Sequence, residues 1–162
     1  MQRWSSNAMR AKMLTAMACD HGGFHLKEDL KSFLMDLGHE IEDLGCFDEG
    51  AVDYPDLGQI VAQKVSTGEA EKGILICGTG IGMSIVANKF PRVRAALVNH
   101  VYAARMAKEH NNANILVMGG RIVGPGLARE MVQVWMEAEF HGERHMRRLE
   151  KIDAIERRNF TI

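Results

Sequence analysis

Gly73-Ile74-Leu75-Ile76-Cys77-Gly78-Thr79-Gly80-Ile81-Gly82 decides the fold. The first five residues are a short apolar run rich in β-branched side chains, the pattern of a strand covered on both faces. The next five are a glycine-rich turn, and residues 83–89 read as helix. A buried strand that runs into a tight turn and then a helix is the unit from which parallel α/β sheets are assembled.

The same alternation extends in both directions. Upstream, an apolar run over 13–18 ends at the turn Cys19-Asp20-His21-Gly22-Gly23. A helix over 24–37 follows and stops at Gly38. Residues 39–44 carry apolar Ile41 and Leu44 and end at Gly45. Asp53-Tyr54-Pro55-Asp56 opens a helix with proline in its first turn, and Gly68 closes it. Downstream come a strand over 94–98, a helix over 101–110 and a strand over 114–118. After the turn Gly119-Gly120-Arg121 there are helices over 124–139 and 141–158. The pattern predicts a three-layer α/β/α sandwich, Rossmann-like, with a five-stranded parallel sheet and an extra C-terminal helix. Residues 13–162 read as a single domain. Residues 1–12 are polar and irregular, and Ser6-Asn7-Ala8 before Met9 looks like a tag-removal scar, so this segment is read as disordered or tag-derived.

Composition narrows the function. The chain has 162 residues, 46% of them apolar, enough to bury a core. A formal net charge of −1 gives no basic field for nucleic acid. No apolar run is long enough to span a membrane. Three cysteines, Cys19, Cys46 and Cys77, stand far apart in sequence, which fits neither a zinc pattern nor a disulfide framework and suits a reducing, cytoplasmic setting.

In parallel α/β sheets, ligands bind beyond the carboxyl ends of the strands. That rule selects Asp20 and His21, Cys77 to Gly82, Asn99 and His100, and Gly119 to Arg121. In Cys77-Gly78-Thr79-Gly80-Ile81-Gly82 the alternate glycines let backbone N–H groups approach an anion such as a phosphate or an enediolate oxygen. The spacing matches neither a Walker loop nor the dinucleotide fingerprint. Alone, such a turn is as well explained by chain reversal. Cys77 stands where strand meets loop, and the helix amino terminus beside it favours a thiolate there, a suitable base for carbon-acid proton abstraction. For Cys19 and Cys46 the small buried hydrophobe is the better reading. Asp20 and His21 suit sugar hydroxyl and phosphate binding, or plain turn capping. His110 at a helix carboxyl end complements the dipole or shuttles a proton. Arg144 and Arg148, four apart on one helix face, can grip one phosphate or simply face solvent.

Together these residues resemble ribose-5-phosphate isomerase type B, in the family that also holds galactose-6-phosphate isomerase subunits. The resemblance is carried by Cys-Asp-His-Gly-Gly-Phe at 19–24, Asp-Tyr-Pro at 53–55, Ile-Cys-Gly-Thr-Gly-Ile-Gly at 76–82 and Ala-Asn-Lys at 87–89. Further matches are Glu-His-Asn-Asn-Ala-Asn at 109–114, Gly-Gly-Arg at 119–121 and Arg-His-x-x-Arg at 144–148. It implies an aldose–ketose isomerase of the pentose phosphate pathway, converting ribose 5-phosphate and ribulose 5-phosphate through a cis-enediolate. Cys77 is then the base and His110 the ring-opening acid, helped by Asp20. Gly78, Thr79, Gly80, Ile81 and Gly82 hold the enediolate oxygen. Tyr54 and Asn111 meet sugar hydroxyls, and His21, Arg121, Arg144 and Arg148 surround the phosphate. The family uses no metal and no organic cofactor. Its site lies between subunits, so the expected partners are a sugar phosphate and further copies of the chain, as a dimer or a dimer of dimers. The alternatives are an isomerase of a hexose 6-phosphate, a phosphosugar-binding protein without activity, and a thiol redox protein, for which a resolving cysteine near Cys77 is lacking.

Overall fold

The computed structural model describes residues 13–160; the segment set apart at 1–12 lies outside them. Five strands and six helices alternate: β1 Leu14–Cys19, α1 Phe24–Asp36, β2 Glu40–Asp43, α2 Tyr54–Thr67, β3 Lys72–Cys77, α3 Ile81–Ala87, β4 Ala95–Leu97, α4 Val101–Glu109, β5 Ile115–Gly119, α5 Pro125–Glu137 and α6 Gly142–Asn159. A single 3-10 turn, His21–Gly23, precedes α1. The sequence places these elements to within a few residues. One difference bears on the site. The helix after β3 begins at Ile81, inside the glycine turn, because Gly80 takes the left-handed backbone (φ 81°) that lets the chain turn at once into the helix. A Cβ on Gly80 would stand 2.9 Å from the backbone of Met118, so a larger residue is excluded by space as well.

All strand pairs are parallel, in the order β2-β1-β3-β5-β4. Right-handed crossovers explain where the helices lie. Steps toward β2 and from β4 back to β5 put α1 and α4 on one face. Steps in the opposite direction, from β2 to β3 and from β3 to β4, put α2 and α3 on the other. The two cores confirm this division. One gathers Met17, Ile74, Ile76, Leu116 and Met118 under α1, α4 and α5. The other gathers Ala16, Leu75, Cys77 and Val117 under α2 and α3. β3 is buried at all six positions, as its continuous apolar run requires, whereas edge strands β2 and β4 are largely half-buried. Trp135 of α5 is fully buried and donates its indole N–H to the Ala113 carbonyl (3.2 Å). Truncating a buried side chain of that size to alanine typically costs roughly 3–5 kcal/mol.

α6 extends the fold past the β4 edge. The Arg92 N–H donates to Glu156 (2.9 Å), and Leu149 and His145 are buried. No described helix is long and apolar enough to cross a membrane.

Candidate active site

β1 leaves the β1–β3 boundary toward one edge of the sheet and β3 leaves it toward the other. The loops after these strands therefore part here and open a crevice. A cleft of about 440 Å³ lies at this point, lined by Asp20, His21, Tyr54, Cys77, Gly78, Thr79, Ile81, Gly82, Ile85 and Arg121. Nine of these ten are residues singled out in the sequence; Ile85, one turn into α3, is the addition.

The backbone explains how they converge. Gly120 follows β5 and presses on Gly22 after β1, so closely that a Cβ would collide with the Gly22 carbonyl oxygen. The Gly120 N–H donates to the Cys77 carbonyl (2.8 Å) and the Arg121 N–H to the Gly78 carbonyl (3.0 Å). Three strand ends are thereby tied together, and the Arg121 side chain is laid along Gly78. Tyr54, first residue of α2, packs its ring on Gly82, where a Cβ would stand 2.5 Å from the ring.

Cys77 is 5% exposed, at the cleft floor. The Gly80 N–H donates to its sulfur (3.1 Å), a contact that supports negative charge there. Thr79 Oγ1 accepts from the Ile81 N–H (3.3 Å). Helix geometry leaves the N–H groups of Gly82 and Met83 without an intrahelical acceptor. Asp20 does cap its turn, its Oδ1 accepting from the Gly22 N–H (2.9 Å), and it also lines the cleft. His21 Nδ1 accepts from the Val52 N–H (3.3 Å), which leaves the ring proton of the neutral form on Nε2. His100, left open by the sequence, caps α4: its Nδ1 accepts from the Tyr102 N–H (3.1 Å).

His110, Asn111, Arg144 and Arg148 are not at this cleft. His110 ends α4, and a crossover helix runs opposite to its strands, so its carboxyl end lies at the amino ends of the sheet. The next turn confirms it: the Gly73 N–H, at the start of β3, donates to the Asn114 carbonyl (2.8 Å). There the His110 ring stacks on that of His145, centroids 4.1 Å apart and planes 16° apart. Arg144 and His145 line a second hollow with His141 and Glu143. Asn111 lines a larger apolar cavity of about 610 Å³ between α6 and β4. Sequence reasoning gave His145 no role. Its signal was the apolar stripe of α6: from Leu149, one turn back is position 145.

Cys19 and Cys46 face one another (Sγ···Sγ 3.7 Å), both buried and remote in kind from Cys77. Burial, above all, pushes the Cys19 thiol far up, with Cys46 adding to it, so it stays protonated.

A parallel α/β sheet with a thiol, a glycine-rich loop and a guanidinium at its topological switch point defines a protein built to bind and act on a small anionic molecule. A sequence model of the Ribose/Galactose Isomerase family matches residues 15–152. The chain belongs to that family and is a sugar-phosphate isomerase of the aldose–ketose kind. It is 44% identical to ribose-5-phosphate isomerase B of Escherichia coli K12, over 88% of this chain and 96% of that one. It is 42% identical to galactose-6-phosphate isomerase subunit LacB of Clostridium acetobutylicum, over 79% and 74%. The solved structure of Clostridium thermocellum ribose-5-phosphate isomerase B superposes with a TM-score of 0.88 at 49% identity, covering 90% of this chain and 99% of that one.

Proposed function

We propose that the enzyme interconverts ribose 5-phosphate and ribulose 5-phosphate, with Cys77 as the base. The observation that carries this reading is the Cys77 sulfur at the cleft floor, with the Gly80 N–H aimed at it and Arg121 beside it. The Cys77 thiolate takes the proton from C2 of the open-chain aldose. The electron pair moves through C1–C2 to the carbonyl oxygen, giving a cis-enediolate. The same sulfur returns the proton to C1 while the hydroxyl proton on O2 passes to O1, which leaves the ketose. Fixed N–H donors on the developing oxyanion commonly lower such barriers by about 3–4 kcal/mol each. Free N–H groups in the first turn of α3 are in position for it. Arg121 and the Nε2–H of His21 suit the phosphate, Thr79 the enediolate oxygen and Tyr54 the sugar hydroxyls.

His110 as ring-opening acid, with Asn111, Arg144 and Arg148, then comes from a second copy. A two-fold axis across the strands runs the two sheets antiparallel and brings the amino end of one beside the carboxyl end of the other. The β4 edge suits this contact: Ile152 and Ile155 of α6 are exposed and line the apolar cavity beside β4. Three unbridged cysteines support a reducing, cytoplasmic location.

The test is kcat/KM on a panel of pentose 5-phosphates and hexose 6-phosphates. Ribose 5-phosphate should lead. A lead for galactose 6-phosphate or allose 6-phosphate would move the enzyme to the hexose branch, and no turnover of any would leave a phosphosugar-binding protein.

A further inference from the structure

We infer that His145 is a positioning residue that couples the ring-opening acid to the phosphate-binding arginine. This rests on the roles proposed above for His110 and Arg144. His145 is 4% exposed, inside the first turn of α6, and makes two directed contacts. Its ring lies nearly flat on that of His110. Its Nε2 accepts from the Nε–H of Arg144 (3.3 Å).

The second contact fixes its chemistry. A guanidinium in a protein does not give up its proton, so the nitrogen that accepts from it must be bare. His145 is therefore neutral, with its proton on Nδ1. The surroundings agree. His110 faces it from the end of α4, His141 from the connecting segment, and Arg144 and Arg148 from α6. Glu109, the nearby acid, is engaged by His141 (3.9 Å) and Arg105 (3.8 Å). Burial first, then the neighbouring His110, Arg144, Arg148 and His141, hold the His145 imidazole below its ordinary range. A neutral flat ring can hold the plane of His110 without competing for its proton. The same ring, through Nε2, sets the direction in which Arg144 extends. One buried residue thus fixes the angle between acid and cation, which must meet opposite ends of one substrate.

Two substitutions separate the two contacts. His145→Phe keeps a flat ring against His110 and removes the acceptor. His145→Gln keeps an acceptor oxygen near the Nε2 position and removes the ring. In the full-length enzyme, His145→Phe should raise KM for the sugar phosphate roughly tenfold with kcat within about threefold. His145→Gln should lower kcat on the cyclic aldose roughly tenfold with KM within about threefold, and spare the open-chain ketose. Any other pattern in an active enzyme overturns the inference, including equal losses in both variants with a lowered Tm, the mark of a packing role alone. If the unmodified enzyme turns over no sugar phosphate, the functional reading itself fails and this inference falls with it.

Discussion

Cys77 and His110 stand at opposite ends of the same sheet. Cys77 closes β3, in register with Gly119 at the end of β5. His110 precedes the turn whose Asn114 carbonyl holds the first N–H of that strand pair, at Gly73. Four residue steps separate Gly73 from Cys77, about 13 Å at ~3.3 Å each. No side chain spans that distance, which supports the proposal that base and acid reach one sugar from two chains. The topology accounts for the separation: residues after a strand gather at one end, and residues after a crossover helix at the other.

Complementation tests it. A Cys77→Ser chain and an Arg144→Ala/Arg148→Ala chain should each be nearly inactive. After subunit exchange, mixed dimers hold one site with base and arginines both intact. Activity should return to a sizeable fraction of wild type, up to about one quarter of all sites for random pairing. No recovery after exchange is verified by mass would place the arginines at their own chain's site.

Cys77→Ser alone should cost about 10³-fold in kcat, within the usual span for a positioned base. A serine hydroxyl is far too weak a base to replace the thiolate, while the Gly80 N–H and Arg121 remain to bind ligand. Binding of ribose 5-phosphate, by calorimetry, should stay within a few fold. Turnover within tenfold of wild type would remove Cys77 from the mechanism.

His110→Ala should slow the cyclic aldose more than the ketose. Ribulose 5-phosphate cannot close a furanose ring through its phosphorylated C5 oxygen, so that direction bypasses ring opening. A difference of about tenfold or more between the two directions is expected for an acid used in only one of them. Equal losses would mean that His110 serves binding instead.

The sequence made much of this legible, and the reasons are local. Strand β3 is an uninterrupted apolar run, α2 is opened by Pro55, and Gly38 and Gly68 stop their helices with positive φ. The site loops follow from the rule that ligands sit beyond strand ends. What stayed hidden is non-local. Periodicity does not encode that β5 lies between β3 and β4, since both carry the same apolar pattern. It does not report that Val52 fixes His21, 31 residues away, or that Cys46 meets Cys19. His145 was concealed by its company: five arginines and a lysine in 144–158 make the helix look solvated, while its buried stripe is only His145 and Leu149.

Asp43 offers a test of stability apart from catalysis. It ends β2 and is bound by Lys27 Nζ (2.7 and 2.6 Å), Lys31 Nζ (2.7 Å) and the Gly45 N–H (3.0 Å). The Lys27 side chain is fully buried and that of Asp43 is 13% exposed. Burial pushes the Asp43 carboxyl up, but the hydrogen bonds from Lys27, Lys31 and Gly45 and the Lys27 charge outweigh it, so the group titrates below 3.8. A carboxyl depressed on folding contributes stability that is present above its unfolded value and is lost as pH falls through the folded one. Asp43→Asn leaves the buried Lys27 ammonium with only the half-exposed Glu28 carboxylate (2.9 Å) as counter-charge, and should cost roughly 3 kcal/mol at pH 7. In urea unfolding at pH 7, 5, 4 and 3, the gap between wild type and Asp43→Asn should hold down to about pH 4 and then narrow, because protonation turns wild-type Asp43 into a neutral group as well. Adding Lys27→Met should recover part of the loss at pH 7, since an apolar side chain of similar length needs no partner there. A gap that stays constant to pH 3 would mean that the loss comes from altered packing and not from the ion pair.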